Sequence, residues 1–197
     1  WVKMRHRNVL PCYGLCRNFG PFPGLVIPFC EGGNILQYLS RHPAMDRVQL
    51  LVSISAGLRY LHSKGVVHGD LRACNILMDS QGVPRLSDAG LCLVLSEADF
   101  TRISVGGVSR WTAPEVLLDE GSEIPFTKQS DMYSFAMTML EILTGRIPFE
   151  LIRQDSVVIL AVIGGARPPR PEGRIDDSIW EIIETCWTRN PKERPNA

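Results

Sequence analysis

The segment SDMYSFAMTMLEILTG, residues 130–145, constrains the fold of this chain more than any other part of the sequence. Its apolar residues fall on every side of a helix rather than on one stripe, and a helix that is apolar all round lies in the centre of a domain. Ser130 or Asp131 would cap the start of this helix, and Gly145 its end. We therefore expect the second half of the chain to pack around one buried helix.

Shorter patterns predict the remaining elements. NVLPCYGLC and GLVIPFC are typical of short strands separated by a turn rich in Gly and Pro. ILQYLSR and the stretch from Asp46, the predicted N-cap, to Gly65 have the pattern of helices. VVH is predicted as a short strand, and NILMD and VPRLS as a hairpin closed by SQG. SVVILAVI and DSIWEIIETCW add two helices, so the predicted fold class is α+β with a helix-dominated larger part.

Composition limits the functions open to the chain. The 197 residues are 45% apolar and 21% charged, with 21 Lys plus Arg against 21 Asp plus Glu. A chain without net charge lacks the basic footprint of a nucleic-acid binder, and no run of eighteen apolar residues offers a membrane segment. Its six cysteines form no C-x-x-C pair. That pattern favours reduced thiols and an intracellular, cytoplasmic protein over a disulfide framework.

The residues that could take part in catalysis or metal binding lie in HGDLRACN, residues 68–75, and at Asp88 after the predicted hairpin. Because the hairpin folds back on this loop, Asp70, Asn75 and Asp88 are expected to converge. Two carboxylates and an amide oxygen suit Mg²⁺, which takes its other ligands from water and phosphates. Asp70 would then orient an acceptor hydroxyl and take its proton, while Asp88 and Asn75 hold the metal. Each residue alone is explained more simply by a turn, but the set and its spacing favour phosphoryl transfer.

These motifs resemble the protein kinase domain, in its tyrosine-kinase-like or tyrosine-kinase form. HGDLRACN resembles the catalytic loop H-R-D-L-x-x-x-N, and DAG stands where the family has D-F-G. RWTAPEVL carries the A-P-E motif as Ala113, Pro114 and Glu115, and CWTRNPKERP resembles a late signature in which Arg194 would pair with Glu115. SDMYSFAM resembles the family's central helix, whose Asp131 would hold the backbone of the catalytic loop. The motifs occur in order and cover nearly the whole chain.

The resemblance implies a protein-kinase-like α+β fold, mostly the helical large lobe. Residues 1–30 would form the end of the small lobe and the hinge, and residues 31–197 the large lobe. The implied cofactors are ATP and Mg²⁺, and the implied partner is a protein substrate. The sequence indicates no oligomeric state.

The resemblance also implies an adenine pocket at the hinge. Ile27 would guard the back of this pocket, the backbone of Cys30 would bind adenine, and Leu77 would lie under its ring. Phe29 belongs to the same hinge segment. Without the resemblance, Ile27 and Leu77 would be interpreted as ordinary core residues.

The acceptor implied by the resemblance is a Ser or Thr hydroxyl, with Tyr as the less favoured alternative. DLRA and RWTAPE resemble cytoplasmic tyrosine kinases, but the mostly Ser/Thr-specific tyrosine-kinase-like group shares CW and RW-x-APE. Arg72 lies where Ser/Thr enzymes usually carry a Lys that contacts the γ-phosphate, so it joins Asp70 and Asn75 in the implied catalytic set. HGDL also opens the catalytic loop of aminoglycoside and choline kinases. Those enzymes lack the A-P-E segment, which forms the shelf for a protein substrate.

Two positions depart from the family pattern. Gly69 replaces an Arg that in many kinases pairs with a phosphate on the activation loop. Phosphorylation of the candidate sites Thr101, Ser104 and Ser109 is therefore expected to be a weaker switch. Ala89 replaces a Phe that packs toward a helix of the small lobe, a loss that typically costs about 3 to 5 kcal/mol where the site cannot collapse.

The Gly-rich loop G-x-G-x-x-G and the ATP-binding lysine of the family do not occur within these 197 residues. The resemblance implies that both, with the glutamate that pairs with the lysine, would precede Trp1, and that the last helix would follow Ala197. Because positioning of phosphates supplies most of the catalysis, the 197 residues alone are expected to lack appreciable activity. The alternative to an active kinase domain is a pseudokinase that serves as a binding or scaffold module.

Overall fold

The computed structural model of the chain describes residues 3–18, 24–90, 109–119, 126–173 and 175–197. Its helices form a single apolar core that extends from the segment around Val9 to Trp187. No helix among the described residues has the length and apolar character needed to cross a membrane.

Four short strands in the described residues form two antiparallel pairs. β1 (Gly14–Cys16) pairs with β2 (Gly24–Val26), and β3 (Ile76–Met78) pairs with β4 (Pro84–Leu86). The strands lie inside the segments predicted from the sequence but are only three residues long. The predicted hairpin is confirmed as β3 and β4.

The turn of the β3–β4 hairpin is fixed by Asp79. Its Oδ1 atom accepts the backbone N–H groups of Gln81 and Val83, each at 2.9 Å. Its Oδ2 atom accepts a hydrogen bond from Nη2 of Arg85 at 2.7 Å. These contacts favour one register for the hairpin, and that register decides where Asp88 emerges.

Six α-helices follow in chain order within the described part: α1 (Ile35–Arg41), α2 (Arg47–Ser63), α3 (Pro114–Leu117), α4 (Lys128–Thr144), α5 (Asp155–Ile163) and α6 (Asp177–Cys186). All but α3 were predicted as helices from the sequence. α2 begins as expected, because the Asp46 side chain accepts the backbone N–H of Gln49. Gly65, at a φ of 74°, follows its C-terminus in the left-handed region.

α4 is the buried central helix that its composition predicts. Its fully or nearly fully buried side chains occur all round the helix: Met132, Tyr133, Phe135, Met137, Met139 and Ile142. α4 packs against both α2 and α6. Gly145 adopts the left-handed conformation at the C-cap, as expected.

The start of α4 differs from the sequence prediction. The helix begins at Lys128, and Thr127 is its N-cap. The hydroxyl of Thr127 accepts the N–H of Ser130 at 3.0 Å, and the hydroxyl of Ser130 accepts the N–H of Thr127 at 2.8 Å. Ser130 is thus the third helical residue of a capping box. Asp131 lies inside the helix, so its carboxylate is available for contacts outside it.

Candidate active site

The backbone of the candidate catalytic loop is held by a buried carboxylate. Asp131, 1% exposed, accepts the backbone N–H of His68 at 2.7 Å and that of Gly69 at 2.8 Å. Nε2 of His62 on α2 lies 2.8 Å from the same carboxylate. This is the role that the resemblance implied for Asp131. The first turns of α4 therefore determine where the loop begins.

Residues 66–68, predicted as a strand, have no strand conformation. The backbone N–H of His68 donates to the carboxylate of Asp131 and not to a neighbouring strand. Val66 and Val67 therefore lie beside the loop without forming a strand. This part of the prediction was wrong because two consecutive β-branched residues do not specify a strand when no partner strand is adjacent.

Gly69 suits the conformation of the loop. Its φ of 79° lies in the left-handed region, where a residue with a Cβ atom pays roughly 1–2 kcal/mol. The carbonyl of the preceding residue, His68, accepts the N–H of Gly90 at 2.9 Å. The glycine therefore relaxes the backbone at the point where the loop meets the DAG segment.

Asp70 and Asn75, five residues apart, meet across the loop. Nδ2 of Asn75 donates to Oδ2 of Asp70 at 2.7 Å and to the carbonyl of Asp70 at 2.8 Å. Nε of Arg72 lies 3.1 Å from Oδ1 of Asp70. The predicted catalytic set Asp70, Arg72 and Asn75 is thus one contiguous polar group, about three-quarters buried at the first two side chains.

The residue before Asp88, Ser87, is hydrogen-bonded to Asn75. Ser87 donates both its backbone N–H and its hydroxyl to the carbonyl of Asn75, at 2.9 and 3.0 Å. The hydroxyl of Ser87 also lies 3.1 Å from Oδ2 of Asp88. Asp88 has a φ of 59°, which is uncommon outside glycine. Backbone strain of this kind persists where surrounding contacts over-determine it, often at functional sites.

The donor atoms of this group are suited to Mg²⁺. Nδ2 of Asn75 faces Asp70, and its Oδ1 atom accepts a hydrogen bond from the thiol of Cys74 at 3.4 Å. Oδ1 is the amide oxygen that a cation could use in place of this weak contact. Among the described residues, no group of three or more His, Cys, Asp or Glu side chains is arranged to hold a metal ion by itself. A cation bound by Asn75 and Asp88 would take its remaining ligands from water and phosphates, as Mg²⁺ commonly does.

His68 is held neutral inside the loop. Its side chain is completely buried, and its Nδ1 atom accepts the N–H of Asp70 at 3.3 Å. Burial lowers the pKa of His68, although the carboxylates of Asp131, Asp70 and Asp88 act in the opposite direction. The imidazole therefore positions the backbone of Asp70 without carrying a charge at neutral pH.

The A-P-E segment forms the predicted contact with the end of the chain. Pro114 and Glu115 open the short helix α3, with Ala113 as its N-cap. Nη1 and Nη2 of Arg194 donate to the two carboxylate oxygens of Glu115 at 2.5 and 2.9 Å. The guanidinium also donates to the carbonyls of Thr188 and Gln129, so the pair joins three parts of the large lobe.

Sequence reasoning missed Arg110, which anchors the segment in front of the A-P-E motif. Its buried guanidinium lies 2.9 Å from the carboxylate of Asp155 at the start of α5. It also donates to the carbonyls of Pro148, Phe149 and Ile152. No local pattern indicated this role, because every partner lies about 40 residues further along the chain.

Glu141 was missed as well. It lies in α4 at 4% exposure, and its Oε2 atom accepts the backbone N–H of Ala73 and the indole N–H of Trp111, both at 2.9 Å. Burial raises the pKa of Glu141, while these two hydrogen bonds and the charge of Arg72 act in the opposite direction. The signal available in the sequence was a single acidic residue within an otherwise apolar stretch of helix.

A small space separates the catalytic loop from the shelf. It has a volume of about 10 Å³ and is bounded by Gly69 and Asp70 on one side and Trp111 and Ala113 on the other. That volume holds about one water molecule. The acceptor side of the site is therefore closely packed in this conformation.

The hinge residues are attached to β3 mainly through backbone contacts. Gly32 donates its N–H to the carbonyl of Met78 at 3.1 Å, and Gly33 accepts from the N–H of Met78 at 2.9 Å. A Cβ atom on Gly32 would lie 2.6 Å from Met78, so this approach requires glycine. Ile27 and Leu77 are half-buried and Cys30 is buried, whereas the Phe29 side chain is 90% exposed.

The structure describes one of the three candidate phosphorylation sites. Thr101 and Ser104 lie outside the described residues. Ser109 lies within them, and its residue is only 2% exposed. A modifying enzyme would reach the Ser109 hydroxyl only after this segment moves.

The geometry of the loop and the A-P-E segment held by Arg194 place the chain in the class of protein kinases. Comparison with known proteins makes the assignment specific: residues 2–197 match the family model described as protein tyrosine and serine/threonine kinase, and the chain belongs to that family. The predicted family and α+β fold are thereby confirmed.

Three relatives show the range of the family around this chain. It is 31% identical to the Arabidopsis thaliana serine/threonine-protein kinase STY17 and 27% identical to the Arabidopsis serine/threonine/tyrosine-protein kinase HT1. It is 33% identical to the Girardia tigrina tyrosine-protein kinase SPK-1. Each comparison covers 98% of this chain but only 34%, 49% and 41% of the respective relative. The chain thus spans between a third and a half of their lengths.

Proposed function

We propose that this domain transfers the γ-phosphoryl group of Mg²⁺-ATP to a Ser or Thr hydroxyl of a protein. Bound Mg²⁺ would neutralise charge on the transferring phosphates. Asp70 orients the acceptor hydroxyl and takes its proton, and Asn75 and Asp88 hold the cation. Arg72, which is paired with Asp70 in the present conformation, turns toward the γ-phosphate when substrates bind.

The hinge would hold the adenine through its backbone. The carbonyl of Cys30 accepts the N–H of Gly33 at 3.0 Å, whereas the N–H of Cys30 has no backbone acceptor among the described residues and is available to the ring. Ile27 and Leu77 would cover the two sides of the pocket. Phe29, because of its exposure, would contribute through its backbone alone.

Residues 1–30 would serve as the end of the small lobe and the hinge, and residues 31–197 as the large lobe. We also propose an intracellular, cytoplasmic location. Five cysteines in the described residues are free thiols, which is the state favoured in a reducing compartment.

The observation that carries the proposed function is the meeting of Asp70, Asn75 and the residue next to Asp88 on a loop held by Asp131. It is tested by the thermal shift that Mg²⁺-ATP produces in the purified chain. We expect Asp88→Asn to reduce this Mg²⁺-dependent shift to that of ATP alone. Asp176→Asn, an exposed change at the start of α6, is the matched control and should keep the shift. An equal shift in both variants would contradict the role of Asp88.

Transfer itself is tested with a peptide library in which each member carries one Ser, Thr or Tyr. The longest native product that contains residues 1–197 should phosphorylate the Ser and Thr members, and Asp70→Asn should abolish the signal. Residues 1–197 alone are expected to give no appreciable transfer, since they contain no Gly-rich loop. A strong signal from the 197-residue chain that disappears in Asp70→Asn would contradict this expectation.

The acceptor residue differs among the relatives of this chain. STY17 is named as a serine/threonine kinase, SPK-1 as a tyrosine kinase and HT1 as both. The Ser/Thr preference proposed here rests on the tyrosine-kinase-like character of the motifs. Labelling of Tyr peptides in excess of Ser and Thr peptides would reverse it.

A pseudokinase that acts as a scaffold is the second candidate function. Gly69 and Ala89 favour it, since both replace residues that regulate active kinases. The retained Asp70–Asn75–Asp88 group favours the active enzyme. Absence of any Mg²⁺-ATP shift, together with absence of transfer in the longest native product, would contradict the active enzyme and favour the scaffold role. The match to the protein kinase family disfavours a small-molecule kinase of the aminoglycoside or choline type.

A further inference from the structure

Glu141 is a charged residue in a place where an apolar one would be less costly. It lies in the buried helix α4, at 4% exposure, between Leu140 and Ile142. Removing a carboxylate from water costs several kcal/mol unless hydrogen bonds compensate. A residue whose role was only to fill the core would be replaced here by Met or Leu without this penalty. The carboxylate therefore requires an explanation beyond packing.

The two donors to Glu141 come from the two halves of the acceptor side. The backbone N–H of Ala73, 2.9 Å from Oε2, belongs to the catalytic loop midway between Asp70 and Asn75. The indole N–H of Trp111, also 2.9 Å from Oε2, belongs to the segment that leads into the shelf. One oxygen atom thus fixes both segments.

The position of Trp111 is well determined. Its ring is 7% exposed, and its carbonyl accepts the hydroxyl of Ser134 at 2.8 Å. Because the indole is rigid, the Glu141 contact fixes the distance from the shelf to the loop that carries Asp70. The contacts that bring Asp88 to Asn75 run through Ser87 instead and do not involve Glu141.

We propose that Glu141 is a positioning residue for the polypeptide acceptor, which sets the shelf at the distance from Asp70 at which an acceptor hydroxyl meets the base. This inference rests on the proposed function and deepens it. It separates the two substrates: loss of the contact affects the acceptor, whereas Mg²⁺-ATP keeps its ligands.

The test uses Glu141→Met and Trp111→Phe in the longest native product. Glu141→Met has a similar length but no oxygen to accept the two N–H groups, and Trp111→Phe removes the indole N–H but keeps an aromatic ring. Each should raise KM for the peptides and lower kcat/KM by about 10- to 100-fold, since a misplacement of about 1 Å can have that effect. KM for ATP should change by no more than about twofold relative to the wild type, because the contacts that bind the nucleotide are not altered. A purely structural role would lower the active fraction and leave both KM values unchanged.

The double variant distinguishes one shared contact from two separate defects. If Glu141 acts through Trp111, the double variant should be no worse than the more severe single variant, because contacting residues are not additive. Trp180→Phe is the matched control. Its ring packs edge-on against Trp187 at 5.4 Å and has no contact with Glu141 or Trp111 among those found in the described residues, so this change should leave kcat/KM for the peptides unaltered. Additive losses, or equal losses toward ATP and peptide, would overturn the proposal.

A readout without catalysis separates this inference from the proposed function. In the ¹⁵N-labelled chain, Trp111→Phe should shift the backbone amide signal of Ala73, whereas Trp180→Phe should not. If the wild-type protein transfers no phosphate to any peptide but this shift is present, the proposed function fails while the Glu141 coupling is supported. An Ala73 signal that is unchanged by Trp111→Phe overturns the coupling whatever the activity.

Discussion

The proposed acceptor side of the site, residues 68–75 with 109–115, and its proposed nucleotide side, residues 27–34, are held in different ways. The acceptor side is attached to α4 by two buried carboxylates, Asp131 and Glu141, which together accept four N–H groups and contact one imidazole. The nucleotide side is attached to β3 mainly by backbone hydrogen bonds. Apart from the buried Cys30, its hinge side chains are half-buried, as at Ile27, or almost fully exposed, as at Phe29.

Under the proposed function, the acceptor half of the chemistry is therefore the half held by buried side chains of the core. A buried carboxylate with all its hydrogen bonds made fixes a unique arrangement, whereas its removal leaves several donors unsatisfied at once. Backbone contacts at an exposed hinge tolerate changes of side chain. Substitutions on the acceptor side should therefore cost stability. On the nucleotide side, changes of exposed side chains should not, and the exception is Gly32, where a Cβ atom would lie 2.6 Å from Met78.

Asp131→Ala is expected to have the largest effect. It leaves the N–H groups of His68 and Gly69 without their acceptor, and each unsatisfied buried donor costs about 1–3 kcal/mol. We expect the free energy of unfolding to fall by at least about 3 kcal/mol, measured by urea denaturation. The control on the nucleotide side is Phe29→Ala, which should change it by no more than about 0.5 kcal/mol because the ring is exposed. Similar losses in the two variants would break the comparison.

Glu115→Gln should have the next largest effect. It weakens the two-point contact with Arg194, whose side chain is completely buried, although Glu115 itself is 29% exposed and partly screened. We expect a loss of about 2 kcal/mol in the free energy of unfolding, below the range for a fully buried pair. Glu150→Gln removes the carboxylate of the exposed Arg146–Glu150 pair and should cost less than about 0.5 kcal/mol. Equal effects of the two changes would show that burial of Arg194 contributes nothing.

The elements that could be predicted from the sequence are those with a local signal. The apolar composition of residues 130–145 predicted the buried helix, and Asp46 and Gly65 marked the ends of α2 correctly. The pairing of Arg194 with Glu115 followed from family motifs rather than from any pattern in the chain. Its geometry agrees with that expectation.

The parts that sequence reasoning missed depend on contacts between distant residues. The true N-cap, Thr127, was overlooked because Ser130 and Asp131 are equally good capping residues, and the capping box decides among them. Residues 66–68 resemble a strand only until Asp131 takes the N–H of His68. Arg110 and Glu141 find partners at least 30 residues away, which no local window contains.

Gly69→Ala sharpens the comparison within the acceptor side, where the backbone itself is specialised. At a φ of 79°, a Cβ atom should cost about 1 kcal/mol in the free energy of unfolding. Gly24→Ala is the matched control in β2, where an added Cβ atom meets nothing within 4 Å and φ is not positive. It should be neutral or stabilise by a few tenths of a kcal/mol. If Gly69→Ala is equally neutral, Gly69 was not retained for its conformation.

The pH dependence of stability gives the smallest expected effect. Because burial lowers the pKa of His68 below its usual 6.5 in the folded state, the unfolded chain binds the proton first as the pH falls. The contribution of this group is therefore present above pH 6.5 and is lost as the pH falls from 6.5 toward the lowered pKa. His68→Asn keeps an acceptor near the N–H of Asp70 but cannot titrate, so its free energy of unfolding should fall less steeply between pH 7 and pH 5.5. Parallel slopes for wild type and His68→Asn would mean that His68 is not held neutral. The order of the acceptor side would then depend on Asp131 and Glu141 alone.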